Sequence, residues 1–313
     1  FRKIPILTKD AINSNFDKLI ATNLPISRFK KNSTSGSTGL AMKFYSDNKT
    51  DIYRHACAYR SNSWTGWRFG EPTVILWGAP SDVSRFSGIK SKIVNSSIFL
   101  NTTIFSSFDM KEIDMEKYIQ RINEIKPTLI VGYPSSLSIL SDFIKRNRLK
   151  VWKPKGIVTG GETLLNFQKN NIEQTFGVRV FNRYGCRDVG HIASECEQHN
   201  GLHISSDHVL VEVLDEKGNP CKPGELGEII VTDLDNFVFP FIRYKIGDVG
   251  SIDQRLCSCG RTLPLLKSVE GRSFDIIVGT NGNKVSLTLL LGVLPTVETD
   301  DDLLLLSNSC CIL

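Results

Sequence analysis

The 313-residue sequence lacks any apolar run of the ~18 residues that a membrane helix needs. Its longest, Leu287 to Leu294, is short and carries Thr288 and Gly292. No secretory signal opens the chain as written, and the eight cysteines follow no regular spacing. A reducing, cytoplasmic setting is therefore expected rather than a disulfide framework. Charge of one sign is scarce: 38 Lys and Arg stand against 33 Asp and Glu, a net +5. That surplus alone fits an anionic small molecule as well as a nucleic acid, but no stripe of Lys and Arg supports nucleic acid. Internal repeats are absent. What is present, 41% hydrophobic residues, suffices for a sizeable core without staples. The length suits one large or two ordinary domains. The first residue is Phe and the tail reads Asp300-Asp301-Asp302 followed by four Leu, so both ends are read as cut or abnormal.

Along the chain the rhythm changes twice. The segment around Asp10 reads as a turn and an amphipathic helix, with Asp10 as its N-cap. A Ser/Thr/Gly loop, Ser33–Gly39, runs into a strand-like alternation over 40–45, and a helix is expected at about 49–64. Thr73–Pro80 reads as a buried strand ending in a turn. From about 115 to 185, helices alternate with strands that end at Gly132, at Gly160-Gly161 and at Gly185. This alternation predicts an α/β fold with a parallel sheet covered on both faces, and ligands bind beyond the carboxyl ends of such strands. From about 202 to 272 hairpin signals take over and predict a β-rich, barrel-like subdomain.

Five short motifs sit at these turns. Thr34, Ser35, Gly36, Ser37, Thr38 and Gly39 offer backbone N–H groups and hydroxyls to a phosphate, or form a flexible linker. The loop is not a Walker A motif, because no Gly-Lys-Ser/Thr follows it. Gly160-Gly161-Glu162 follows a strand, where an ordinary turn is the competing reading. In Asn182-Arg183-Tyr184-Gly185-Cys186-Arg187-Asp188, the ring can stack on a base and the carboxylate can hold Mg²⁺. In Arg243-Tyr244-Lys245-Ile246-Gly247-Asp248, the final carboxylate can accept ribose hydroxyls, or the stretch is only a turn. Gly271-Arg272 is the fifth. Separately, Cys257-Ser258-Cys259 suggests a metal pair that needs two further ligands. Cys196 and His203, seven apart, are candidates, with His199 competing.

The order of the five motifs resembles the adenylate-forming (ANL) superfamily over about residues 3 to 278, and within it the phenylacetate–CoA ligase branch and its capsular-polysaccharide relatives. The resemblance implies an ANL-type large domain over 1–272, with mostly parallel sheets flanked by helices, and a hinge with the stub of a lid over 273–313. It implies ATP-dependent activation of a carboxylic acid to an acyl-adenylate, then transfer to a thiol, usually coenzyme A. By motif, Thr34 to Gly39 would cradle the ATP phosphates, and Gly160, Gly161 and Glu162 would border the adenine. Tyr184, followed by Gly185, would stack on it. Asp188 stands where the family has a Mg²⁺-binding Glu. Asp248, helped by Arg272, would grip the ribose, and Gly132, Tyr133 and Pro134 would line the acyl pocket. Zinc-containing relatives imply a structural Zn²⁺ on Cys196, His203, Cys257 and Cys259, and relatives of this branch imply a homodimer.

Two departures bear on catalysis. The place of the family's hinge acid holds Phe274, with Asp275 next, and Lys284 is the single lysine after Ser273 without a mark of the lid lysine. The alternative expectation is therefore a non-catalytic remnant that binds nucleotide or acyl group. The terminal Cys310-Cys311-Ile312-Leu313 fits a prenylation pattern but is read as a chance match. Cys186 is read as a small buried residue, His55 and His191 as structural, and Trp64, Trp67 and Trp77 as core or pocket.

Overall fold

A computed structural model describes residues 1–34, 42–78, 101–108 and 110–272, together with the backbone of 93–96, 276–278 and 284–286. Helix α1 (Lys9–Ser14) is capped by Thr8, whose side chain accepts from the Ala11 N–H at 3.2 Å. Asp10, the expected cap, lies instead in the first turn, where a carboxylate complements the helix dipole. Strands β1 (Lys30–Ser33) and β2 (Lys43–Ser46) form an antiparallel pair, closed at its open end by Thr34 against Met42. Of the Ser/Thr/Gly loop they flank, Ser35 to Gly39 lie outside the described residues. Helix α2 (Asn48–Ser63) starts on an Asp47 cap that accepts from the Thr50 N–H at 2.8 Å.

The βα alternation follows as the apolar runs predict. Strands β3 (Thr73–Trp77), β4 (Ile93–Ser96) and β5 (Thr102–Ser106) precede helix α3 (Glu112–Ile125). Then come β6 (Leu129–Gly132), α4 (Pro134–Arg146), β7 (Gly156–Thr159) and α5 (Asn166–Phe176). Proline at the start of α4 loses no helical hydrogen bond. Gly177 ends α5 at φ 67, a left-handed cap that glycine adopts without a Cβ clash. Strands β3, β5, β6, β7 and the start of β8 (Val180–Cys186) are parallel.

One face of this sheet is packed by Phe105, Tyr118, Ile122, Leu137 and Phe143 with residues from α5. The other face is covered by Trp67, Leu129, Val131, Val158 and Phe181, joined by Tyr59 of α2. Each fully buried Leu, Ile or Phe contributes on the order of 2 kcal/mol by removal of apolar surface from water. Trp67 thus belongs to the core.

Beyond β8 the sheet turns antiparallel through β9 (Gly190–Glu195), β10 (Leu202–Ile204), β11 (Val209–Leu214), β12 (Gly227–Asp233), β13 (Tyr244–Asp253) and β14 (Leu265–Arg272). All these strands share one 12-stranded sheet, ordered β11-β12-β13-β14-β10-β9-β8-β7-β6-β3-β5-β4. The hydrogen-bonded order is open, yet Tyr184 on β8 meets Asp248 on β13, four places away, so the antiparallel part curls on itself rather than lying flat. Strand β8 makes the join: Val180 to Asn182 pair parallel with β7, and Arg183 to Cys186 pair antiparallel with β9. The second half has its own core, in which Ile12 of α1 and Phe44 of β2 pack on Phe239, Phe241 and Tyr244. Strands β15 (Ile276–Val278) and β16 (Lys284–Ser286) form a separate antiparallel pair. Phe274 and Asp275, the side chain of Lys284, and the tail from 287 lie outside the described residues.

Candidate active site

The carboxyl end of β7 and the C-terminal half of β8 bring two motifs side by side, since Thr159 faces Asn182 in parallel register. Gly161 takes φ +82, and a Cβ there would stand 2.6 Å from Tyr133 Cε1 and 3.3 Å from Trp77 Cη2. Glycine is required here because the two rings, stacked at 4.1 Å, lie directly over it. Glu162 accepts from the Ser135 N–H at 3.1 Å and the Ser135 hydroxyl at 3.0 Å, which fixes it to the first turn of α4. Gly132 ends β6 so close to the next layer that a Cβ would sit 3.1 Å from Leu137 Cγ. Gly132, Tyr133 and Pro134 therefore adjoin Gly161 and Glu162 in one corner, and Trp77 belongs to that corner rather than to the core.

The second group converges from three strands. Asp248 and Arg272 are direct cross-strand partners on β13 and β14. Arg272 Nε lies 3.3 Å from Asp248 Oδ1, and its Nη1 donates to the Ile246 carbonyl at 3.1 Å. Tyr184 on β8 donates its hydroxyl to Asp248 Oδ2 at 2.8 Å. Asp188, in the turn between β8 and β9, accepts from the Tyr244 hydroxyl at 2.7 Å. Tyr184, Asp188, Asp248 and Arg272, drawn from distant parts of the sequence, thus form one polar group at the sheet's join.

Its electrostatics follow from burial. Burial raises the Asp188 and Asp248 carboxyls above the ordinary 3.8; the tyrosine hydroxyls and Arg272 work in the other direction. Lys9, at the start of α1, lowers both by its charge. The Tyr184 phenol is pushed up, first by burial and then by the Asp248 charge. Burial and the Asp188 charge also push up the Cys186 thiol, which keeps it a protonated, packed group and not a nucleophile. His191 is held by Ser61, Ser194 and Ser205 at 2.9–3.0 Å and is structural, as expected. Tyr244 and Lys9 carry no spacing signal of their own; the Tyr244 motif was visible, its hydroxyl contact was not.

A second constellation lies beyond β9. The donor atoms of Cys196, His203, Cys257 and Cys259 all fall within 4.8 Å of one another. Cys196 and Cys257 sulfurs are 3.6 Å apart, and Cys259 Sγ is 3.4 Å from His203 Nε2. Two thiolates on a tetrahedral zinc with 2.3 Å bonds stand about 3.7 Å apart, so the donors fit that ion. His203 Nδ1 faces the Leu263 carbonyl at 3.4 Å, which leaves Nε2 with its lone pair toward the cysteines. Burial lowers the His203 imidazole and pushes the Cys196 thiol up to about 12. His199, the competing ligand, lies outside the cluster: its Nδ1 meets Glu195 at 3.0 Å and its ring packs on Phe181 at 4.5 Å. Arg261 covers the site, stacked over Trp64 at 4.8 Å and paired with Glu197 at 2.9 Å.

No family model matches the chain. It is 27% identical over 193 residues to phenylacetate–coenzyme A ligase of Thermus thermophilus, covering 58% of this chain and 43% of that protein. It is 26% identical over 312 residues to Protein CapK of Staphylococcus aureus, covering 95% of this chain and 64% of that protein. The chain thus spans less than two thirds of the length of these relatives. In fold it is similar to 2-hydroxyisobutyryl-CoA ligase solved in complex with 2-HIB-AMP and CoA, with a TM-score of 0.73 at 20% identity over 91% of this chain and 67% of the other. In motif order and in these sequence matches the chain is similar to the phenylacetate–CoA ligase-like members of the adenylate-forming superfamily, and its sheet shares the fold of 2-hydroxyisobutyryl-CoA ligase.

Proposed function

We propose that this chain carries the nucleotide site of an acid–thiol ligase. A carboxylate oxygen attacks the α-phosphorus of ATP and pyrophosphate leaves; a thiol, coenzyme A in the named relatives, then attacks the acyl carbon and AMP leaves. The observation that carries this reading is the convergence of Tyr184, Asp188, Asp248 and Arg272 at the join of the sheet. Asp248 accepts the ribose hydroxyls, braced by Arg272 from the facing strand. Tyr184 stacks on the adenine while its hydroxyl braces the same carboxylate. Gly160, Gly161 and Glu162 border the base, and by motif Thr34 and the residues to Gly39 would cradle the phosphates. The corner of Gly132, Tyr133 and Pro134, with Trp77, receives the acyl group.

Asp188 is the residue that would hold Mg²⁺ together with the phosphates; a single carboxylate shared with substrate oxygens is the usual way that ion is bound, and it would neutralise developing charge. Asp188 suits this because Tyr244 fixes one of its oxygens in a buried setting. Cys196, His203, Cys257 and Cys259 would hold a structural Zn²⁺ that ties the β9–β10 turn to the loop before β14. Among the described residues, no helix is long and apolar enough to cross a membrane.

ATP–pyrophosphate exchange with a panel of aryl and fatty acids tests the reading. At least one acid is expected to raise exchange above the acid-free background. ATP binding without exchange for any acid would instead support the non-catalytic alternative.

A further inference from the structure

The motif reading assigns no role to Arg54 or His208, yet both hold the peptide that carries Asp188. Arg54, on α2, donates through Nη2 to the Asp188 carbonyl at 2.6 Å and to Asp233 Oδ2 at 3.1 Å. His208, one residue before β11, sets Nε2 3.0 Å from the Val189 carbonyl and Nδ1 2.7 Å from Asp235 Oδ2. Two consecutive carbonyls are therefore gripped by side chains with a common anchor, the turn after β12. That anchor is itself fixed: Asp233 Oδ1 accepts from the backbone N–H of Asp235 at 3.0 Å and of Asn236 at 3.1 Å. The Asp233 and His208 side chains are both fully buried.

The surroundings are shaped to the Arg54 stem. Gly190 takes φ +87, and a Cβ there would stand 2.7 Å from both Cγ and Cδ of Arg54. The acceptors facing the His208 ring, a carbonyl and a carboxylate, have no hydrogen to give. Nε2 therefore donates to the Val189 carbonyl, and the Arg54 guanidinium stands against the Asp233 carboxylate. His208, Asp233 and Asp235 also lie within 4.8 Å of one another, as the ligands of an ion would. Arg54 Nη2 already stands on Asp233 Oδ2 and the Val189 carbonyl already takes His208 Nε2, so the cluster is read as a clamp, and the metal measurement below separates it from an ion site.

We propose that Arg54 and His208 are positioning residues that fix the Asp188–Val189 peptide and so set where the Asp188 carboxylate stands. The proposal rests on the reading of Asp188 given above. Buried carbonyls need partners in any case; the specific content is that these two donors hold the hairpin turn in register for catalysis, where an error of about 1 Å costs about 100-fold in rate.

Hydrogen–deuterium exchange of the full chain, without nucleotide, tests the clamp independently of turnover. His208→Gln keeps a donor near the Nε2 position, and His208→Asn does not. In Arg54→Ala and His208→Asn, amides over 186–191 are expected to exchange about 10-fold faster while those of β6 and β7 stay unchanged; His208→Gln should stay near wild type. In ATP–pyrophosphate exchange the first two variants should lose about 10- to 100-fold in kcat, with KM for ATP changed less than about 3-fold. Wild-type exchange over 186–191, or acceleration spread evenly over the whole sheet, would overturn the proposal. So would the loss of one equivalent of bound metal in His208→Asn. A wild type that shows no pyrophosphate exchange would count against the ligase reading alone, because the deuterium measurement still decides the clamp.

Discussion

Asp248 sits under opposing demands. Burial raises its carboxyl, while the Arg272 charge and the Tyr184 hydroxyl pull it back down without cancelling the rise. Because the folded value is the higher one, the neutral form is favoured in the fold. Its contribution to stability is fully present below the ordinary 3.8 and is lost as pH climbs from there through the folded value. A ligand-free Asp248→Asn variant should therefore melt at or above the wild-type temperature at pH 7, with a flatter dependence on pH above about 4. Thermal melts across that range check it; a variant clearly less stable than wild type at pH 7 would show that the Arg272 pair outweighs burial. Tyr184 separates two roles in the same way. Tyr184→Phe keeps a ring for stacking and should raise KM for ATP by about 3-fold, whereas Tyr184→Ala should raise it by about 10-fold or more, since a base–aromatic stack contributes on the order of 1–3 kcal/mol. Steady-state kinetics that find the two variants equal would remove the stacking role.

At the scale of elements, the β8–β9 hairpin carries the site. A Cβ on Gly185 would lie 2.4 Å from the Gly190 carbonyl oxygen, backbone that cannot step aside. Gly185→Ala should therefore destabilise the fold by about 2 kcal/mol or more in denaturant unfolding and disturb Asp188; an unchanged midpoint would contradict the packing described for this turn. Much of this region was legible beforehand. The runs at Leu129–Gly132 and Gly156–Thr159 are short and mostly apolar, and each closes on glycine, at Gly132 and at Gly160 just beyond Thr159, so apolar patterning and turn chemistry agree on them. Hairpin signals over 202–272 gave the local pairing, and the curl that brings β8 to β13 emerged from the fold, because a turn fixes which strands are neighbours and says nothing about how a sheet bends. Thr8 and Asp10 both cap well and stand two apart, so a six-residue helix gives too little periodicity to choose between them. Arg54 and His208 left no trace, since the Arg54 contact to Asp188 spans 134 residues and neither residue sits in a motif.

Among the described residues the molecule is built on one 12-stranded sheet, its parallel half packed on both faces and its antiparallel half around a core of its own, with the proposed nucleotide site near β8 and the Cys–His cluster between the end of β9 and the β13–β14 loop. Four donors from two distant stretches meeting around one point would make a bound Zn²⁺ part of the folding free energy. Cys196→Ser should lower the melting temperature by about 5 °C or more and reduce zinc in the purified protein; elemental analysis that finds no zinc in freshly purified wild type would sink that site. Only the Cys257-x-Cys259 pair was legible from spacing; Cys196 and His203 came from the resemblance to zinc-containing relatives, and the fold groups them with the pair and leaves His199 outside. The proposed acyl corner of Gly132, Tyr133 and Pro134 came from the resemblance, and the Trp77–Tyr133 stack beside it emerged from the fold. The central claim, that Tyr184, Asp248 and Arg272 form a nucleotide site, is tested most directly by calorimetric titration of AMP into wild type and Asp248→Ala. The account predicts one AMP per wild-type chain and binding weakened about 10-fold or more in the variant; no binding to wild type, or equal affinity in both, would contradict it.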